Sequence, residues 1–196
     1  MDRLFGVEAG QTPLDPDDIA GLRLGFIATR GELDAAEQSN VAKAITWSRV
    51  RRPTPDRILD EPFVRGLHRR MFGDVWSWAG RYRTTSRNLG IDPWLISEGI
   101  GALLGDARHW LEIGDDHDAV CVRVHHRLVQ VHPFANGNGR HARLYADLLV
   151  VGLGAQPFTW GALQNVDAPT IRAAYISTLH AADDGDLASL IAFART

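Results

Sequence analysis

Residues 132–140 read HPFANGNGR and stand between two stretches of helical patterning. On the N-terminal side Val120, Val124, Leu128 and Val131 recur at helical spacing. On the C-terminal side Ala142, Leu144, Tyr145, Leu148 and Leu149 continue in the same way to Gly152. Two glycines and two asparagines within the nine residues mark a loop. The chain therefore has to fold around a helix–loop–helix junction whose second helix begins close to Asn138.

That junction has a distinct chemistry. A helix N-terminus presents amide N–H groups without intrahelical acceptors and a partial positive charge, and both attract anions. Gly137, Asn138 and Gly139 let the backbone approach a phosphate closely, because glycine, and asparagine more than most residues, tolerates positive φ. Arg140 and Arg143 share a helix face close to this end, where the helix dipole disfavours cations, so an anion is expected to compensate them. A polyphosphate would do so, since guanidinium forks match phosphate oxygens. His132 lies at the exit of the preceding helix and is a candidate base; Phe134 reads as an anchor pinning the loop to the core. From spacing alone, a Gly/Asn loop with a capping asparagine accounts for the pattern as well as a phosphate cradle does. The full combination His-x-Phe-x-x-Gly-Asn-Gly-Arg-x-x-Arg favours the cradle, and the frame of a P-loop is absent.

The rest of the chain reads as mostly α. Helices are predicted over Glu32–Arg51, ended by Pro53 and Pro55, and after Asp60 as an N-cap up to Gly73. Others follow over Leu95–Leu111, Asp115–Val131, Pro169–Ala182 and Asp186–Arg195. Residues 7–18, rich in Gly, Pro and Asp, suggest an irregular lead-in, and VWSWAGRYRTTSRNLGIDP suits a loop or short hairpin. We divide the chain into residues 1–56, the lead-in and first helix with a regulatory role in view, and residues 57–196, the core and C-terminal helices. The two form one compact domain.

A net charge of −3 without a long basic block argues against general nucleic-acid binding, and Arg49, Arg51 and Arg52 read as a solvated helix end. Cys121 is the only cysteine, which excludes an intrachain disulfide and a cysteine metal cluster. No basic, apolar leader and no run of about 20 apolar residues is present, so the expected location is cytoplasmic, away from membrane.

The residues from His132 to Arg143 closely resemble the signature of the Fic/Doc (Fido) family, His-x-Phe-x-Asp/Glu-Gly-Asn-Gly-Arg-x-x-Arg. The similarity extends over roughly Asp60–Ala182, where LHRRMFGDVWSWAGRYR looks like the family's helix and aromatic turn. The whole chain resembles the small bacterial "mobile mystery protein B" group. The resemblance implies a helical core with a short β-hairpin flap, and transfer of AMP from ATP to a Ser, Thr or Tyr hydroxyl of a target protein. It implies His132 as general base, Phe134 as anchor of the nucleotide loop, and Gly137, Asn138 and Gly139 as the anion hole. Arg140 and Arg143 would hold the distal phosphates, and a flap within Arg83–Ile91 would dock the target by strand addition.

Asn136 departs from the signature. The family has there the carboxylate that holds the nucleotide's Mg2+ or Mn2+, and a neutral amide oxygen is a poorer ligand. Slower or altered transfer, another phosphate-linked donor, and a nucleotide-binding or toxin-type interaction protein with little or no transfer all remain open. Many members also carry an inhibitory helix, Ser/Thr-x-x-x-Glu-Gly/Asn, whose glutamate pairs with the second arginine. Glu32 and Glu37 are the candidates to pair with Arg143, but Ala28 and Leu33 occupy the Ser/Thr positions. An ordinary exposed helix face is the preferred reading of both. Among rivals, His125, His126, His132 and His141 raise a metal-dependent hydrolase, though no HExxH arrangement accompanies them. A DNA-binding helix-turn-helix has only the helix count and dispersed arginines behind it.

Overall fold

The computed structural model describes residues 16–196, so the predicted lead-in over residues 7–18 lies mostly outside the described residues. The α-helices, in chain order, are α1 (Pro16–Ile19), α2 (Arg30–Arg51), α3 (Pro55–Ile58), α4 (Glu61–Phe72), α5 (Ile96–Glu112), α6 (His117–Val131), α7 (Asn138–Gly152), α8 (Ala168–Asp183) and α9 (Leu187–Ala194). A 3₁₀ turn at Pro93–Leu95 leads into α5. Every long helix expected from periodicity is present, with ends within two residues of the expected ones. The short α1 and α3 are additions that a four-residue stretch cannot signal by period.

Local chemistry explains where the helices begin. Thr29 and Glu32 form a reciprocal capping box at α2. Asp116, Asp167 and Asp186 accept first-turn amides of α6, α8 and α9. Helix α7 differs: its N-cap is Gly137, which has no side chain to offer, and the first turn is left open toward the junction.

The α6–α7 pair forms the centre. Helices α5 and α9 pack on α6, α3 and α4 on α7, α2 on α4, and α8 on α9. Val124, Leu128, Phe134, Tyr145 and Leu149 are fully or almost fully buried at this centre. Burial of each such side chain contributes about 1.5–3 kcal/mol, so the junction is fixed by the core on both sides.

The expected β-hairpin flap is not present. Residues 83–92 form an irregular loop, and among the described residues the only β-bridge joins Leu22 to Trp76. Within this loop the guanidinium of Arg83 donates to the carbonyls of Thr85 (3.0 Å) and Ile91, so side-chain bonds rather than a ladder hold its two arms.

Candidate active site

The first ladder bond of α7 runs from His141 N–H to the Gly137 carbonyl at 2.9 Å. The amides of Asn138, Gly139 and Arg140 precede it and point out of the helix end, the geometry that receives an anion. The Asn138 side chain is buried and is not itself a ligand. Its amide binds both backbone groups of Phe134, accepting from N–H at 2.9 Å and donating to the carbonyl at 2.8 Å. This staple closes the loop and leaves only the Asn138 backbone N–H at the open helix end.

Gly137 has φ +78°, and a Cβ on it would lie 2.6 Å from the Phe72 ring. Both the left-handed backbone and the close ring require glycine. Gly137→Ala is expected to destabilise the fold by about 3 kcal/mol and to weaken nucleotide binding, as urea unfolding and calorimetric titration would show.

Phe134 is fully buried, so it anchors the loop rather than touching a ligand. It stacks on His68 with ring centroids 3.7 Å apart and meets His141 edge-on at 5.1 Å. His68 was not singled out from sequence, yet it ties the aromatic turn to the junction. Its Nδ1 accepts from Gly80 N–H at 3.0 Å, which places the proton on Nε2, and Nε2 donates to the Asn136 carbonyl at 3.0 Å. Burial holds this imidazole well below the usual histidine range, in keeping with a neutral tautomer.

His132 caps α6 in the left-handed conformation, φ 51°, and only 6% of it is exposed. Burial first and the Arg83 charge second pull its pKa down to about 4, against an opposing hydrogen bond to the Val129 backbone. The imidazole is therefore neutral at physiological pH and able to accept a proton.

The two motif arginines diverge. Arg143 lies over the Tyr175 ring at 5.2 Å, and the Tyr175 hydroxyl is hydrogen-bonded to His125 at 3.0 Å. Arg140 turns the other way, over Phe72, and pairs with Glu37 of α2 at 2.6 Å. The Glu37 carboxylate also accepts from the Trp76 indole at 2.6 Å and is 3% exposed. The exposed-face expectation thus holds for Glu32, whose carboxylate caps α2, and fails for Glu37. The anion expected beside Arg140 is supplied within the chain, by a residue 103 positions away. The partner of Glu37 is the first arginine of the motif, not Arg143.

Asn136 Oδ1 accepts from Gly137 N–H at 2.5 Å. This neutral oxygen is what the loop offers a divalent cation, and among the described residues no group of three or more His, Cys, Asp or Glu is arranged to hold a metal. Nor do the histidines converge on one: His125 bonds Tyr175, His126 bonds Asp183 at 2.8 Å, and His141 donates to the Val64 carbonyl at 2.9 Å.

This junction and the helices that hold it fall within residues 58–150, which match the Fic/DOC family. The chain belongs to that family. It is 33% identical over 133 residues to protein adenylyltransferase fic-1 of Caenorhabditis briggsae, covering 65% of this chain and 25% of that protein. It is 31% identical over 132 residues to a Sinorhizobium fredii protein named "probable protein adenylyltransferase y4lH", covering 63% and 66%. Among solved structures, Caenorhabditis elegans Fic-1 (residues 134–508) superposes with a TM-score of 0.65 at 25% identity, over 90% of this chain and 50% of that one. A Bartonella quintana Fic domain with bound ADP gives 0.65 at 16% identity, over 87% and 86%, a likeness of fold. This Fic chain spans about a quarter of the Caenorhabditis relative's length. No helix among its described residues is long and apolar enough to cross a membrane.

Proposed function

We propose that the chain transfers AMP from ATP to a Ser, Thr or Tyr hydroxyl of a target protein and releases pyrophosphate. The observation that carries this reading is geometric: His132 caps α6 in the left-handed conformation, and α7 starts a few residues later at Asn138 with no side-chain cap on its first turn. The target hydroxyl oxygen attacks the α-phosphorus while its proton passes to a His132 ring nitrogen. The bond from the α-phosphorus to the bridging oxygen breaks, and pyrophosphate leaves with the electron pair. The amides at the start of α7 hold the phosphates, and Arg143 and Arg140 offset charge on the leaving group. The loop at residues 83–91 receives the target.

Labelled ATP added to the purified protein and bacterial lysate tests the reading. Label should pass to protein from α-labelled ATP and not from γ-labelled ATP. Transfer of the γ-label alone, or of neither with every divalent cation tried, would overturn it.

The Asn136 amide leaves Mg2+ or Mn2+ to be held mainly by the nucleotide, so Asn136→Asp is expected to raise transfer about tenfold or more at limiting Mg2+. Rates measured across a Mg2+ series would show this as a lower half-saturating concentration.

The region 1–56 acts on the site through Glu37, which competes with phosphate for Arg140. Glu37→Gln keeps an acceptor for Trp76 and removes the charge. It is expected to tighten nucleotide binding by roughly fivefold, about 1 kcal/mol, in calorimetry. An unchanged affinity would leave Glu37 a purely structural buried acid.

A further inference from the structure

Arg83 is the buried cation of the junction. One guanidinium reaches four carbonyls on both sides of the base: His132 through Nε at 2.7 Å, Thr85 through Nη1 at 3.0 Å, and Ile91 and, at 3.5 Å, Val131 through Nη2. Its own backbone N–H adds a bond to the Pro133 carbonyl at 2.9 Å. Residues 131–133 are the exit of α6, and residues 85 and 91 lie on the outgoing and returning arms of the loop. A fixed planar fork is what such a multiple contact requires, and a lysine ammonium cannot span it.

The far end of the loop carries a second, independent sign of the same coupling. Gly90, at φ +98°, is seated so closely that a Cβ on it would lie 2.5 Å from His132 Cβ and 2.7 Å from Arg83 Nη2. The loop rests on the base itself.

We infer that Arg83 is a positioning residue that locks the 83–91 loop to the backbone of His132, so that seating the target and presenting the base are one event. The inference rests on the adenylyl-transfer reading for its kinetic consequence and on geometry for the rest. A group that merely filled space would support the loop without governing the imidazole. Arg83 does both: burial is the main cause that holds the His132 imidazole neutral, and the Arg83 charge adds to it, with Arg87 adding less and the Val129 backbone opposing.

The test uses the full chain with three substitutions, Arg83→Gln, Arg83→Lys and Gly90→Ala. Side-chain NMR of His132 is followed from pH 8 down to the acid limit of the fold. In Arg83→Gln the imidazole should bind a proton at least tenfold more tightly than in wild type, whereas Arg83→Lys, which keeps the charge, should stay close to wild type. Amides 84–91 should exchange at least tenfold faster in all three variants, with the α4 and α6 amides unchanged. Transfer should fall about 100-fold in kcat, with KM for ATP within twofold, because the reacting groups are misaligned while the phosphate cradle is untouched.

An unmoved His132 titration in Arg83→Gln together with wild-type loop exchange would overturn the clamp, and so would a loss confined to KM for ATP. Failure of wild type to transfer AMP would count against the adenylyl reading alone, since titration and exchange need no turnover.

Discussion

His132→Asn is expected to lower AMP transfer by about 10²–10⁴-fold while leaving fold and nucleotide binding in place. Asparagine suits the test because His132 occupies the left-handed region at φ 51°, which asparagine adopts readily. Alanine there would add about 1–2 kcal/mol of backbone strain and blur the loss of the base with a loss of structure. The Arg83 bond to the His132 carbonyl survives either change, since it is made to the backbone. The amides at the start of α7 and the two arginines also remain, so ATP should still bind. Initial rates with α-labelled ATP, set beside calorimetric affinity for a non-hydrolysable analogue, separate the two effects. A wild-type rate in the variant would remove His132 from the chemistry. A parallel loss of binding would mean that its ring supports the cradle and is not only a base.

Acidification is expected to unfold the protein with a midpoint near pH 5. His68, His125, His132 and His141 are buried, and burial lowers the pKa of each, to about 4 for the last two. In the unfolded chain each imidazole titrates near 6.5. Below that pH the unfolded chain takes up protons that the folded chain refuses, so stability is full above 6.5 and declines as the pH falls toward 4. Each group contributes about 1.4 kcal/mol per pH unit once well inside this window. Asp147 works in the opposite direction. Burial raises its pKa to about 6, so the folded state gains protons there and offsets roughly one imidazole. The remaining three imply a loss of about 4 kcal/mol per pH unit, large beside a total stability of about 5–15 kcal/mol. Circular dichroism between pH 8 and 4 should show a cooperative transition; native ellipticity retained at pH 4 would refute this account.

Much of the helical framework was legible along the chain because its causes are local. Asp116 as cap and the recurrence of Val120, Val124 and Leu128 set α6 without reference to any other element. The start of α7 at Asn138 follows from glycine on either side of it, and the open amides follow from that start. The helix end and its glycines were thus legible from the chain itself, while the chemistry proposed for them came from the resemblance of twelve consecutive residues to the Fic signature.

The tertiary structure decided which of those residues remain available and what holds them. Asn138 became a staple on Phe134, and Arg140 gained a buried carboxylate from α2. His68 came to bridge Gly80 and Asn136, while Arg83 tied the carbonyls of Thr85 and Ile91 together across the loop. None of these has a spacing that a sequence displays. A cap or a period depends on neighbours three or four residues away, which are fixed by covalent connection. The Glu37–Arg140 pair and the stack of His68 on Phe134 join distant segments, and their strength depends on exclusion from water, a condition created only when α2, α4, α6 and α7 close together.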